Sequence, residues 1–265
     1  MSLSNGVASS SGLALPLRLP LVVGAAPVST GLALVQQCID GIPLDLRVGR
    51  MPGIRPWEVV AEVAATCHQI EFAPLQSILP PCKSRREFAE STLAPLDELD
   101  IPEGPDASAW ALAHLPKDIP PVLLHGDLLG QNIIISLEPD VPVGVIDWDH
   151  AVIGDPAFDL AIVTRGARKP FQIESGLQKL LDASNEHTDA GLTPTNVHLY
   201  ELLLLAGFYM QAAEKDGPDS PRAEQEQGDP KGDHIFADVM QQCRAESWKA
   251  TYREAGARFG IQSQD

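Results

Sequence analysis

Apolar residues come first in two short runs, 17–23 and 31–39. Both are rich in Leu and Val, and Gly24 to Thr30 separate them, which predicts two β-strands joined by a loose turn. Asp40-Gly41 and Pro43 end the second run. From Pro56 the period changes. Val59, Val60, Val63, Ala64, Cys67 and Ile70 recur three and four residues apart, which predicts a helix with Pro56 in its first turn. Residues 84–99 and 106–115 read as further helices, closed off by Pro116, Pro120 and Pro121. Three apolar runs follow, 122–124, 133–135 and 143–146. Each is short and bounded by turn residues, so they predict buried strands. After Gly154-Asp155-Pro156 the helical period returns over 156–165, 171–184, 194–214 and 234–258, with a charged surface loop at 215–233. Residues 1–12, rich in Ser and Gly, are expected to be disordered. The order predicts an α+β chain: a small β part over 13–41, then a mainly helical lobe over 42–265 with a β-hairpin embedded in one face.

The 265-residue chain is 44% hydrophobic, enough for a sizeable core. It has no apolar run of the roughly 20 residues that a spanning helix needs and no basic signal region at its start, so a soluble cytoplasmic protein is expected, with no membrane partner. Cys38, Cys67, Cys82 and Cys243 are far apart and form no metal-thiolate pattern, which predicts free thiols. The net charge of −17 disfavours nucleic acid. It suits cationic small molecules or magnesium-nucleotide complexes, the plainer reading being solubility alone.

The chemistry concentrates in two stretches, His125-Gly126-Asp127-Leu128 with Asn132, and Ile146-Asp147-Trp148-Asp149. Pairing strand 133–135 with 144–146 around a turn near Pro139-Asp140 predicts Asn132 opposite Asp147, about 5 Å apart. A side-chain carbonyl and a carboxylate at one open end are hard oxygen ligands that suit Mg²⁺. Asp127, on the loop entering that hairpin, is placed to accept a proton from a substrate hydroxyl. Phosphoryl transfer uses these three roles in this order: a loop Asp, an Asn a few residues on, and a metal-binding Asp after a strand. Singly, each of the three is as readily a turn residue. His125 reads as a loop-ordering histidine and Gly126 as a glycine in a conformation closed to other residues. Asp155 reads as a helix N-cap ahead of Pro156, and Asp159 as a brace for the loop. Asp149 is a candidate contact for a cationic substrate, with Glu87, Glu90, Glu174 and Asp216 as further acidic candidates. A metal-dependent hydrolase built on Asp127, Asp147 and Asp149 is another reading of the same carboxylates, one that needs further ligands such as His125 or His150.

These motifs, with Gly154-Asp155-Pro156 and Asp159-Leu160-Ala161, resemble the aminoglycoside phosphotransferase and choline kinase family. Residues 34–41 resemble its last N-lobe strand and hinge. Residues 63–70, with His68, resemble a helix that ends in a Leu-His pair, with Cys67 in place of the Leu. The resemblance covers roughly 17–258 and implies a protein-kinase-like fold and an ATP- and Mg-dependent small-molecule kinase. It implies Asp127 as catalytic base, Asn132 and Asp147 on the metal, and Gln37, Cys38, Ile39 and Ile146 beside the nucleotide. The acceptor and the choice of ATP or GTP stay open. One departure stands out. Relatives carry a longer segment before the hinge, with a nucleotide-covering loop and a phosphate-pairing lysine, whereas here the first lysine is Lys83 and Arg18 is the only basic residue before the hinge. The β N-lobe is therefore expected to be incomplete. The chain is then a truncated fragment, a protein completed by a partner, or a non-catalytic kinase-like binding module.

Overall fold

A computed structural model describes residues 17–94 except Thr30, and 104–216 except Pro139, Gly166 and Arg168; for 104–106 and 208–216 it describes the backbone alone. The element order is β1 (Leu17–Arg18), β2 (Val22–Val28), β3 (Gly31–Gln36), β4 (Ile42–Pro43), α1 (Pro56–His68), α2 (Arg85–Leu93), α3 (Gly104–Ala113), β5 (Val122–Leu124), β6 (Ile133–Ile135), β7 (Val143–Val145), β8 (Val152–Gly154), α4 (Ala157–Thr164), α5 (Gly176–His187) and α6 (Pro194–Asp216). No described helix is long and apolar enough to cross a membrane. The expected helix at 234–258 and the expected disorder at 1–12 lie outside the described residues, as does the loop expected at 215–233 from residue 217 on; its first two residues, Lys215 and Asp216, continue α6.

The chain divides into two compact units. One is built from the residues up to Lys83 with Ile119–Val163 and Lys169–Leu192. The other is built from Ser84–Asp118, Thr164–Arg168 and the residues from Thr193 on. In the first unit, α1 packs along α5 and against β5. Its buried face, Val60, Val63, Ala64 and Cys67, follows the three- and four-residue spacing of the sequence. In the second unit α2 packs on α6 and α3. Ser84 caps α2 in a capping box with Glu87, and Phe88 meets Tyr200 at 6.0 Å between ring centres.

Among the described residues, three small sheets replace the expected pair of hairpins. The first strand run splits: β1 leaves the hairpin and pairs in parallel with β7, in a four-stranded sheet ordered β1-β7-β6-β4. The hairpin itself is β2–β3, with Val28 opposite Gly31, so most of the segment expected to be a loose turn is strand. Pro27 lies opposite Leu32. Lacking an N–H, it fits only a position whose backbone faces away from the partner strand, which marks β2 as an edge. β5 pairs with β8, a strand the sequence did not announce because Gly154-Asp155-Pro156 reads as a turn. The helix expected at 171–184 begins only at Gly176, after an irregular turn in which Phe171 and Gln172 adopt left-handed φ values of 58° and 62°. Helices α2 and α3 begin one residue later and two residues earlier than expected.

Candidate active site

The loop between β5 and β6 carries His125 to Asn132, and its shape is imposed from below. Asp159, in the first turn of α4, is wholly buried. Its Oδ2 accepts the His125 amide at 3.0 Å and its Oδ1 accepts the Gly126 amide at 2.9 Å. The His68 imidazole Nε2, at the end of α1, lies 3.1 Å from the same Oδ2. Burial pushes the Asp159 carboxyl up. The hydrogen bond and charge of His68, with the Gly126 amide, pull it below the ordinary carboxylate value. The neighbouring Cys67 thiol is pushed up by burial first and by the Asp159 charge second. Asp159 therefore acts as an anionic anchor for two consecutive backbone amides.

His125 is fully buried and fully committed. Its Nδ1 accepts the Asp127 amide at 3.3 Å, which puts the proton on Nε2, and Nε2 donates to the Ile146 carbonyl at 2.8 Å. Its ring rests on Trp148, 4.8 Å between centres. Both ring nitrogens are thus used within the protein, which leaves neither for a substrate. Gly126 has φ +79°, and a Cβ there would stand 2.0 Å from the His150 carbonyl oxygen, so both the dihedral and the close approach require glycine. Gly130 is held as tightly: a Cβ would stand 2.4 Å from the Leu44 oxygen, where the Leu44 amide donates to the Gly130 and Ile133 carbonyls.

Asn132 is buried at the far end of the loop. Its Nδ2 donates to the Asp127 carbonyl at 2.8 Å and to the Asp127 carboxylate Oδ2 at 3.1 Å. Both amide protons are used on Asp127, which leaves the Oδ1 as the free coordinating atom of the side chain. The expected register is off by one residue. Ile133 faces Val145 and Ile134 faces Gly144, so Asn132 lies opposite Ile146, whose amide donates to the Asn132 carbonyl at 3.0 Å. Asp147 sits one residue further and is exposed. The chain re-aims it through a left-handed conformation, φ 65° and ψ 60°. Such a conformation costs a non-glycine residue about 1–2 kcal/mol and is held here by its neighbours. Ile146 is tied to both Asn132 and His125, and Trp148 is buried with its Nε1 on the Val145 carbonyl at 3.2 Å.

The remaining expected residues divide between local and open roles. Asp155 caps α4, its Oδ1 accepting the Ala157 amide at 2.9 Å. Glu87 is used in the α2 cap, Glu90 pairs with Arg86 at 3.1 Å, and Glu174 pairs with Lys169. The side chain of Asp216 lies outside the described residues. Asp149 is exposed beside Asp147. Gln37 and Cys38 are exposed and Ile39 is half-buried over Gly144. The Gln37 amide is used on the Leu21 carbonyl at 2.8 Å, so the free hinge amides begin at Cys38. Arg18 is occupied with backbone, its Nε on the Pro142 carbonyl at 2.7 Å and its Nη2 on the Asp40 carbonyl at 3.1 Å. Cys38, Cys67 and Cys82 are free thiols. Among the described residues no three or more His, Cys, Asp or Glu side chains are grouped to hold a metal. Sequence reasoning missed the role of His68 on Asp159. The two are 91 residues apart, and no local pattern links them.

Known proteins resemble this chain in sequence or in fold. A stretch of this chain is 39% identical over 101 residues to viomycin phosphotransferase of Streptomyces vinaceus, covering 37% of this chain and 28% of that protein. The chain thus matches well under a third of that relative's length. Among solved structures it resembles the GDP complex of aminoglycoside 2'-phosphotransferase-IIIa, with TM-score 0.60, 14% identity and coverage of 87% of this chain and 77% of that one. It also resembles a choline/ethanolamine kinase family protein from Mesorhizobium loti, with TM-score 0.56, 16% identity and coverage of 86% and 79%. The kinase-like fold is common to all three chains. Residues 14–191 match the phosphotransferase enzyme family, and the chain belongs to that family.

Proposed function

We propose that the chain transfers the terminal phosphoryl group of a nucleoside triphosphate, with magnesium, to a hydroxyl of a small molecule. The observation that carries this reading is the grip of Asn132 on Asp127. One amide group holds both the backbone and the carboxylate of Asp127 and turns its own oxygen elsewhere. The donor set fits magnesium: the Asn132 Oδ1 and the exposed Asp147 carboxylate are hard oxygen ligands. Bound there, the ion would neutralise charge on the phosphates. Asp127 accepts the proton of the acceptor hydroxyl as that oxygen attacks the phosphorus. Asn132 fixes the direction of the carboxylate, and Asp159 fixes the loop beneath it. The nucleotide base lies against the backbone of Cys38 and Ile39, with Ile146 on its other side, at the boundary between the β part ending near residue 41 and the helical part. The GDP-bound relative supports nucleotide use and leaves ATP and GTP both as candidates. The net charge of −17, with Asp149 beside Asp147, favours a cationic acceptor, and the viomycin-modifying relative puts viomycin beside aminoglycosides and choline in the panel.

The test is nucleotide-dependent phosphorylation of that panel by the purified chain, read by mass spectrometry, with Asp127→Asn as control. A product made by the wild type and lost in the variant is the expected result. Turnover that survives in Asp127→Asn removes Asp127 from its role. A second reading of the same fold is a kinase-like binding module without catalysis. Calorimetry decides it, since a module of that kind binds an acceptor without turnover.

A further inference from the structure

Residues 37–41 join the β2–β3 hairpin to β4, and little holds them in place. The Gln37 amide is used on the Leu21 carbonyl at 2.8 Å, and pairing resumes at Ile42 in β4. Between these points, among the described residues, one hydrogen bond reaches the backbone of residues 38–40. It comes from Arg18, whose Nη2 donates to the Asp40 carbonyl at 3.1 Å. The same guanidinium donates through Nε to the Pro142 carbonyl at 2.7 Å, at the approach to β7. Arg18 is half-buried in β1, and its backbone lies opposite Gly144 of β7 in the parallel pair. Gly144 is also where the 37–41 segment touches that sheet. A Cβ there would stand 2.6 Å from Ile39 Cγ2, so the missing side chain makes the notch that Ile39 fills. The Ile39 side chain, the Asp40 carbonyl and the start of β7 thus meet at one place, and Arg18 ties them together. Arginine suits this task because its planar fork holds its donors at fixed angles. Both hydrogen bonds go to carbonyls, neither to a carboxylate.

We propose that Arg18 is a positioning residue for the nucleotide, clamping the hinge to the start of β7 so that the backbone of Cys38 and Ile39 is already set when the base arrives. This rests on the phosphotransferase reading above, which assigns the base to that backbone. A segment with one hydrogen bond over three residues has conformational freedom to lose, and a ligand that orders it binds more weakly for that reason. The clamp removes that freedom beforehand. Arg18 is the only basic residue before the hinge, and its use on two carbonyls assigns it to the base end of the nucleotide and not to the phosphates. Its loss therefore weakens nucleotide binding to the same degree whatever the number of phosphates, and leaves the chemical step at Asp127 alone.

The test compares wild type, Arg18→Met and Arg18→Lys in the full chain. Met keeps an apolar stem without donors, and Lys keeps the charge but lacks the fork that spans both carbonyls. The expected result is a nucleotide KM about 10-fold higher in Arg18→Met, the scale of one charge-assisted hydrogen bond, with kcat and the acceptor KM within about twofold of wild type. Arg18→Lys should fall between the two. Calorimetry with the magnesium di- and triphosphates of adenosine and guanosine should show an equal fold loss for both phosphate lengths of whichever base binds. Four results overturn the proposal: an unchanged nucleotide KM, full recovery in Arg18→Lys, a greater loss for the triphosphate than for the diphosphate, or a kcat that falls as far as KM rises. Circular dichroism checks folding. If Arg18→Met does not fold, Arg18→Lys decides, a raised nucleotide KM supporting the clamp and a wild-type value overturning it. A wild type that binds magnesium nucleotide but transfers no phosphate, with the same loss of binding in Arg18→Met, refutes the phosphotransferase reading and leaves the clamp standing. A wild type that binds no nucleotide overturns both.

Discussion

Leu128, in the middle of the loop between β5 and β6, is wholly shielded from solvent, whereas Val23 and Val35 on the β2–β3 hairpin are 68% and 59% exposed. Both segments belong to the same compact unit. The loop is fixed from several sides: Asp159 from α4, Asn132 from its own far end, Leu44 from the strap after β4, and Trp148 beneath His125. The hairpin consists of two uncharged apolar strands, with Leu32, Leu34 and Val28 also exposed. A two-stranded sheet with both faces in water gains little from burial and is marginal by itself. The loop that carries Asp127 is thus over-determined by tertiary contacts, and the hairpin that leads up to residues 38–39 is held mainly by its own strand pairing. A rigid catalytic loop can hold a carboxylate in a costly, committed geometry. A hairpin of that kind contributes backbone groups and little else.

The sharpest way to break this contrast is at the reacting group. Asp127→Asn keeps the size and the Asn132 contact but removes the base, and should lower kcat by about 10²–10⁴ without changing thermal stability. Equal activity in the variant would leave the locked loop without a chemical purpose. Next in size is packing. Leu128→Ala should cost about 2–5 kcal/mol in chemical denaturation, while Val35→Thr should stay within about 0.5 kcal/mol. A comparable loss at both sites would mean the hairpin is covered. At the metal side, Asp147→Gly should be more stable than Asp147→Ala by about 1–2 kcal/mol, because glycine accepts the left-handed backbone, although both lose activity. The smallest effect sharpens the hinge. Magnesium nucleotide should slow alkylation of Cys38 and leave that of Cys82 unchanged, both thiols being exposed, as mass spectrometry of the labelled peptides can show. Equal labelling would move the base away from residues 38–39.

Acid behaviour follows from the same lock. The Asp159 carboxyl is held below its ordinary range, so its contribution is fully present above the unfolded carboxylate value and is lost as pH falls through the depressed folded value. Unfolding followed by circular dichroism should therefore show an acid transition that moves to higher pH in His68→Leu.

Much of the site was legible in the chain itself. Gly126 and Asp127 next to a short apolar run, Asn132 ahead of another and Asp147 after a third are local signals that need no knowledge of the fold. The helix from Pro56 was equally plain, because its buried residues keep one face over thirteen positions. The register was not legible. Asn132 opposite Asp147 and Asn132 opposite Ile146 differ by one residue, and three-residue strands carry too little alternation to choose between them. Only the assembled sheet, with Ile146 tied to both Asn132 and His125, forces Asp147 into the left-handed turn that re-aims it. In the same way the sequence announced a hairpin near residue 31 but could not send Leu17–Arg18 to another sheet, since that pairing with β7 spans more than 120 residues.

What the sequence determined by itself is therefore the set of chemical groups and the elements that carry them, because composition, period and turn residues act over a few positions. What the tertiary structure alone decided is which groups are spent on one another. His125 is used up between Asp127 and Ile146, and Asn132 is turned by Asp127. Asp159 is kept charged by a histidine 91 residues away, because a buried carboxylate takes its partners from whatever the fold brings within about 3 Å.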